Sequence, residues 1–253
     1  MQAMWNKDKS IGKVLFIVEG SHTEPYILKK LFCGLLDYQV ETIRRPHSYS
    51  VYNAKSNPSS RIFVINTKQS NIKSIKKDDE YLNNLYVELI ETYGFDVDHS
   101  AVYYLFDRDI QSNTDKEFIR NLLGELKNSR ENEDYLRQGI LLLSYPSIES
   151  FTLSNFDDNC FNLCYKLGAD LKHHLDNNKM NHQRITAETL CLATERMIRS
   201  LSEIGVDFII DRIGEDNQTI FDYEEEHYYK NGTFKSLSLF ASVLIDLGII
   251  DFS

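Results

Sequence analysis

The stretch Val14-Leu15-Phe16-Ile17-Val18-Glu19-Gly20 runs five apolar residues without a break into a carboxylate and a glycine. A strand with one face in water alternates apolar and polar residues. An unbroken run therefore reads as a strand buried on both faces, the habit of parallel sheets covered by helices. Thr23-Glu24-Pro25 then opens a helix through Tyr26, Ile27, Leu28, Leu31, Phe32 and Leu35. Pro25 suits the first turn, where its missing N–H has no partner to lose, and Ser21 or His22 lies near the cap. Strand, tight turn and helix follow one another directly.

The same order recurs downstream. Ala101-Val102-Tyr103-Tyr104-Leu105-Phe106 ends at Asp107-Arg108-Asp109, and Phe118, Ile119, Leu122, Leu123 and Leu126 then mark one face of a helix. Gly139-Ile140-Leu141-Leu142-Leu143 ends at Ser144-Tyr145-Pro146-Ser147, after which Glu149 begins another helix. Between the first two runs, Tyr38–Ile43 reads as a strand, Arg44–Ser60 as turn-rich, and Ile62–Ile65 as apolar. This is expected to be a second strand plus a loop or hairpin insertion over about residues 44–68. Lys68, Lys73, Lys76 and Lys77 fall in a loop leading to a helix marked by Leu82, Leu85, Leu89 and Ile90. Beyond about residue 156 helical periodicity dominates, over 186–203 and 235–247, with Phe208-Ile209-Ile210 as an isolated short strand. The expectation is an α/β fold: a Rossmann-like parallel sheet flanked by helices over residues 1–155, and a mainly α-helical C-terminal region over 156–253. No Gly/Ser linker marks the boundary.

Composition sets the outer limits. The 253 residues are 42% hydrophobic and 26% charged, which is ordinary for a folded globular chain and sufficient for a sizeable core. Cys33, Cys160, Cys164 and Cys191 form no CxxC pair and lie in apolar helical contexts, so they read as reduced core residues. No signal-peptide stretch opens the chain and no run approaches the roughly 18 apolar residues that span a bilayer. A cytoplasmic protein without membrane attachment is expected. The net charge of −10 is uneven: residues 1–100 hold 13 Lys/Arg against 12 Asp/Glu, leaving 15 against 26 for residues 101–253. Sequence-independent nucleic-acid binding draws on cationic contacts to phosphate, so such a partner would need a local basic strip or a bridging metal.

In wound parallel sheets, ligands sit beyond the carboxyl ends of the strands. Glu19, Asp107, Asp109 and Glu149 all fall at or just past such ends. Carboxylates converging there repel one another unless a cation binds, and an all-oxygen set suits Mg²⁺ or Mn²⁺. In extended backbone, residues two apart point the same way, so Asp107 and Asp109 can reach one ion while Arg108 faces elsewhere, towards a structural ion pair. A metal so held would neutralise phosphate charge and orient water or a hydroxyl for in-line attack.

These residues carry a family resemblance. V-E-G-S-H-T-E at 18–24, L-F-D-R-D at 105–109 and S-Y-P-S-I-E-S at 144–150 resemble the motifs of TOPRIM domains, closest to the RloB-like and OLD-like branch linked to phage defence and abortive infection. The resemblance covers roughly residues 13–155. It implies a small doubly wound α/β domain and Mg²⁺-dependent cleavage or joining of nucleic-acid backbones. Glu19 matches the family's acidic residue, a metal ligand or general acid/base, and Asp107 and Asp109 match its metal-binding pair. Glu149 resembles the Glu of the branch's P-x-x-E element, although Ser150-Phe151 follows where a bulky aromatic such as Trp usually stands. Nucleases of this kind often work with a separate ATPase, and this chain has no P-loop of its own.

Other features are weaker. Glu24 is a further ligand candidate, but a Glu in a helix's first turn also answers the helix dipole. Gly20 suits either positive φ or close approach of a phosphate. Lys68, Lys73, Lys76 and Lys77, with Arg44 and Arg45 beside Tyr49 and Tyr52, are the basic candidates for nucleic-acid contact. His173-His174 read as surface residues, and Asp222-Tyr223-Glu224-Glu225-Glu226-His227 as a solvated face. The expectation is a metal-dependent nuclease acting on DNA or RNA, tRNA included, as a homo-oligomer in phage defence. The alternatives are another TOPRIM phosphoryl-transfer enzyme and a non-enzymatic adaptor subunit of a defence complex.

Overall fold

A computed structural model describes residues 2–43, 49–67, 71–75, 80–130 and 138–252. In chain order the elements are β1 (Ala3–Trp5), β2 (Lys13–Val18), α1 (Thr23–Lys29), β3 (Tyr38–Ile43), β4 (Tyr49–Ala54), β5 (Arg61–Asn66), α2 (Glu80–Tyr93) and β6 (Ala101–Asp107). They continue with α3 (Lys116–Glu125), β7 (Lys127–Asn128), β8 (Gly139–Tyr145), α4 (Glu149–Phe156), β9 (Cys164–Tyr165), α5 (Gly168–Asn177) and α6 (Ala187–Glu203). The last are α7 (Ile213–Asn231), β10 (Phe234–Lys235), β11 (Leu237–Ser238), α8 (Phe240–Asp246) and β12 (Ile250–Phe252). The fold is α/β, with a mixed central sheet, mostly parallel, ordered β11-β8-β6-β2-β5-β4-β3 with β7 beside β8, and flanked by helices.

The chain forms two compact units, residues 10–106 with 125–141, and residues 1–9 with 107–124 and 142–253. Residues 142–155 thus group with the C-terminal region, whereas sequence patterning places a boundary near 155. In the first unit β2 is the central strand, parallel to β5 on one side and β6 on the other. No residue from Val14 to Val18 is more than 1% exposed, so the unbroken apolar run is explained by cover on both faces. Each such side chain contributes roughly 1.5–3 kcal/mol by leaving water. A charge in place of Phe16, fully buried on this strand, would break it.

The turn-rich stretch 44–60 contains a full strand. β4 pairs antiparallel with both β3 and β5, and Tyr49, Val51 and Tyr52 are buried. Aromatic and β-branched residues at these positions fit a pleated, covered surface and outweigh the turn formers around them. Pro58 falls outside the ladder, in the β4–β5 turn. Ile90, expected on the apolar face of α2, is 51% exposed.

The second unit is mainly helical but carries short strands that periodicity missed: β1 pairs with β12, β9 with β10, and β11 with the end of β8. α4 packs against α5 and α6. The N-terminus of α6 is closed by a capping box in which Thr186 and Thr189 exchange side-chain to backbone bonds. Two expectations fail here. Ile210–Arg212 is a 3₁₀ turn and not part of a strand. The helix expected over 235–247 is confined to Phe240–Asp246, because Leu237 and Ser238 pair with Tyr145 and Ser144. The free thiols are also less uniform than expected, with Cys160 buried and Cys164 exposed. Among the described residues no helix is long and apolar enough to cross a membrane.

Candidate functional site

In the unit formed by residues 10–106 and 125–141, Glu19 follows β2 directly and is 6% exposed. Its backbone N–H donates to the Leu105 carbonyl at 3.1 Å, prolonging the parallel ladder by one residue. Glu24, in the first turn of α1, folds back so that Oε1 accepts the Gly20 N–H at 2.8 Å. Gly20 does not have positive φ, and a Cβ there would press on the end of the Glu24 side chain, so a larger residue would make that carboxylate shift. The Ser21 and His22 side chains meet at 2.7 Å between Oγ and Nδ1. His22 caps α1 by position but accepts no backbone N–H with its side chain.

In the other unit, Asp107 ends β6 and is half-buried. Its Oδ1 accepts the Ile148 N–H at 2.8 Å across 41 positions, which brings it to the turn that leads into Glu149. Glu149 opens α4, and its Oε2 accepts the Ser147 hydroxyl at 2.8 Å. Asp109 Oδ1 accepts the Gln111 N–H at 2.8 Å, an Asx turn. Asp107, Asp109 and Glu149 thus belong to one unit, and Glu19 and Glu24 to the other. Among the described residues no group of three or more His, Cys, Asp or Glu side chains is arranged to hold a metal ion. The donor chemistry itself suits a hard divalent cation, since Asp107, Asp109 and Glu149 offer only carboxylate oxygens and are all partly open to solvent. The hydrogen bonds they accept orient them, as outer donors orient metal ligands.

Arg108 faces away from the aspartates, as alternation requires, and is 1% exposed. Its Nε donates to Glu225 Oε1 at 2.5 Å. This overturns the reading of residues 222–227 as a solvated face: Glu224 is 0% and Glu225 7% exposed. The physical reason is the helical period of α7, on which Phe221, Glu224, Glu225 and Tyr228 share a face. Phe221 and Tyr228 were the signal in sequence that this acidic run carries a buried side. Glu224 Oε2 accepts the Lys235 N–H at 3.0 Å, while Oε1 is buried without a hydrogen-bond partner. Burial pushes the Glu224 carboxyl up to about 8, against the lowering effect of the Lys235 N–H and ammonium. Tyr145, at the end of β8, is likewise buried with its hydroxyl unpartnered. Burial raises it well above the ordinary tyrosine value, and the charge of Glu224 adds to this.

Of the basic candidates, Lys73 is exposed on the 3₁₀ turn Ile72–Ile75. Lys68, Lys76, Lys77, Arg44 and Arg45 lie outside the described residues. His173 and His174 sit on α5, where the His174 ring meets Tyr165 edge-on. A groove of about 470 Å³ is lined by Glu195, Ile198, Arg199, Ser202, Glu203 and Phe252; none of the candidate carboxylates borders it.

These features define an α/β protein whose sheet bears acidic residues at strand ends. No protein-family model matches the chain, and neither a curated protein nor a solved structure does.

Proposed function

We propose that this chain is a Mg²⁺- or Mn²⁺-dependent phosphodiester hydrolase of the TOPRIM kind. Its substrate would be DNA or RNA, tRNA included, cut in phage defence by a homo-oligomer that works with a separate ATPase. One observation carries the reading: the Ile148 N–H bond to Asp107 Oδ1, which ties the end of β6 to the turn before Glu149. Two motifs 41 positions apart are thereby joined through a carboxylate that the sequence resemblance marks as a metal ligand. Asp107, Asp109 and Glu149 would hold the ion, and Glu19 takes the ligand or acid/base part that the resemblance assigns to it. A bound divalent ion supplies neutralisation of phosphate charge and a water of lowered pKa. The chain's own contribution is orientation. The Ile148 N–H and the Ser147 hydroxyl orient the carboxylates of Asp107 and Glu149, and the Asx turn fixes Asp109.

The test is cleavage of plasmid, single-stranded DNA, RNA and tRNA with Mg²⁺ or Mn²⁺ by wild type, Glu19→Ala and Asp107→Ala. A fall of at least about 100-fold is expected for each substitution, as for loss of a group that stabilises transition-state charge. Cleavage left intact by both overturns the assignment. A stable protein partner together with no Mn²⁺ binding would support the adaptor reading instead.

A further inference from the structure

Residues 156–253 take no part in the chemistry proposed above, yet a side chain from α7 reaches the residue between the two aspartates. Arg108 Nε donates to Glu225 Oε1 at 2.5 Å, 117 positions away, and its NH1 donates to the Asn113 carbonyl at 2.7 Å. Glu225 Oε2 also lies 2.5 Å from Lys116 Nζ, so one buried carboxylate answers two cations. The rings of Phe221 and Phe234 each stand 5.7 Å from the guanidinium, measured to their centroids, and shut it from water. Asn113, 0% exposed, closes the same loop. Its Nδ2 donates to the Asp107 carbonyl at 2.6 Å, and its backbone N–H to the Asp109 carbonyl at 2.8 Å. The Arg108 backbone N–H donates to the Ser144 carbonyl at 2.8 Å.

The Asp107 and Asp109 carbonyls and the Arg108 N–H are therefore held by bonds to Asn113 and β8. A buried guanidinium is tolerated only while paired. With Glu225 neutralised, the buried Arg108 guanidinium loses its counter-charge, which weakens its hold on the loop.

We propose that Glu225 is a positioning residue for the aspartate pair: acting through Arg108 and Asn113, it fixes the backbone on which Asp107 and Asp109 stand. This rests on the hydrolase reading for its consequence in activity, but the backbone effect can be read separately. Supporting groups behind metal ligands typically change affinity or activity by 10–100-fold.

The experiment compares wild type with Glu225→Gln, with Arg108→Gln/Glu225→Gln, which removes both buried charges, and with Arg196→Gln. Arg196 is 9% exposed and paired with Asp158 at 3.3 Å, so its loss reports on breaking an ion pair elsewhere in the same unit. Two quantities are read: amide hydrogen exchange over residues 107–113, and Mn²⁺ affinity by isothermal titration. Glu225→Gln and the double variant are expected to lose exchange protection selectively over 107–113 and to bind Mn²⁺ at least about tenfold more weakly. Arg196→Gln should change neither. If protection and affinity in both Glu225 variants match Arg196→Gln, the positioning role is overturned while the hydrolase reading stands. If wild type binds no Mn²⁺ but Glu225→Gln still loses protection over 107–113, the metal reading falls and the positioning role holds.

Discussion

The turn after β2 and the turn after β6 each set a carboxylate at the end of a buried strand, but they are held together differently. After β2, Glu24 folds back onto Gly20 and Ser21 meets His22, bonds between residues four or fewer positions apart. After β6, side chains and backbone from far along the chain join the local bonds: Ile148 reaches Asp107, the Ser144 carbonyl takes the Arg108 N–H, and Glu225 closes on Arg108. Bonds between such neighbours can form as soon as the helix does. A turn held by residues 36 to 117 positions on has its geometry only when the whole unit has folded, and any of those distant residues can disturb it.

The largest effect is expected at Glu225. Glu225→Ala leaves Arg108 buried without its carboxylate and is expected to cost roughly 3–5 kcal/mol, measured by urea unfolding. A cost near that of an exposed ion pair, about 0–1 kcal/mol, would show that the β6 turn does not depend on α7.

Next in size is Glu224, the second buried glutamate of α7. Its carboxyl is raised to about 8 from an ordinary value of 4.5. The folded state therefore binds more protons than the unfolded state between those values, and stability declines as pH rises through that window. Stability from this group is fully present below about 4.5 and lost above about 8. Glu224→Gln should flatten the decline, with little effect at pH 4 and a gain on the order of a few kcal/mol at pH 9. Parallel stability–pH curves for the two proteins would refute it.

The smallest effect belongs to the local turn. Gly20→Ala puts a methyl against the Glu24 carboxylate, and displacing that acceptor from the Gly20 N–H should cost about 1–2 kcal/mol. Because the clash and the bond involve the same pair, Gly20→Ala and Glu24→Ala should be strongly non-additive in a double-mutant cycle. Additive costs would mean that the Glu24 carboxylate and the space at Gly20 are not coupled.

Legibility in the sequence follows the same division. The strand Val14–Val18, the turn at Gly20 and the helix from Thr23 were readable because unbroken apolar runs and first-turn residues report on their immediate surroundings. β6, β8 and the helix beginning at Glu149 were readable for the same reason. Arg108 was correctly turned away from Asp107 and Asp109 by strand alternation alone, but its partner was not identifiable. Glu225 stood in a run of acids that looks solvated until the helical period sets Phe221 and Tyr228 beside it. β4 was hidden among turn formers, and β11 within an apolar stretch of helical spacing. Each became a strand only because a neighbour offered it a ladder.

Sequence alone therefore determined the alternation of buried strands and helices and the placing of Glu19, Asp107, Asp109 and Glu149 at strand ends, since backbone period and burial on both faces are written in the order of residues. Tertiary structure decided which side chains hold those ends: Ile148 for Asp107, Glu225 for Arg108, Asn113 for the loop between. The physical reason is that a buried charge or an open N–H accepts whatever complementary group the fold delivers, and spacing along the chain carries no record of which group that is.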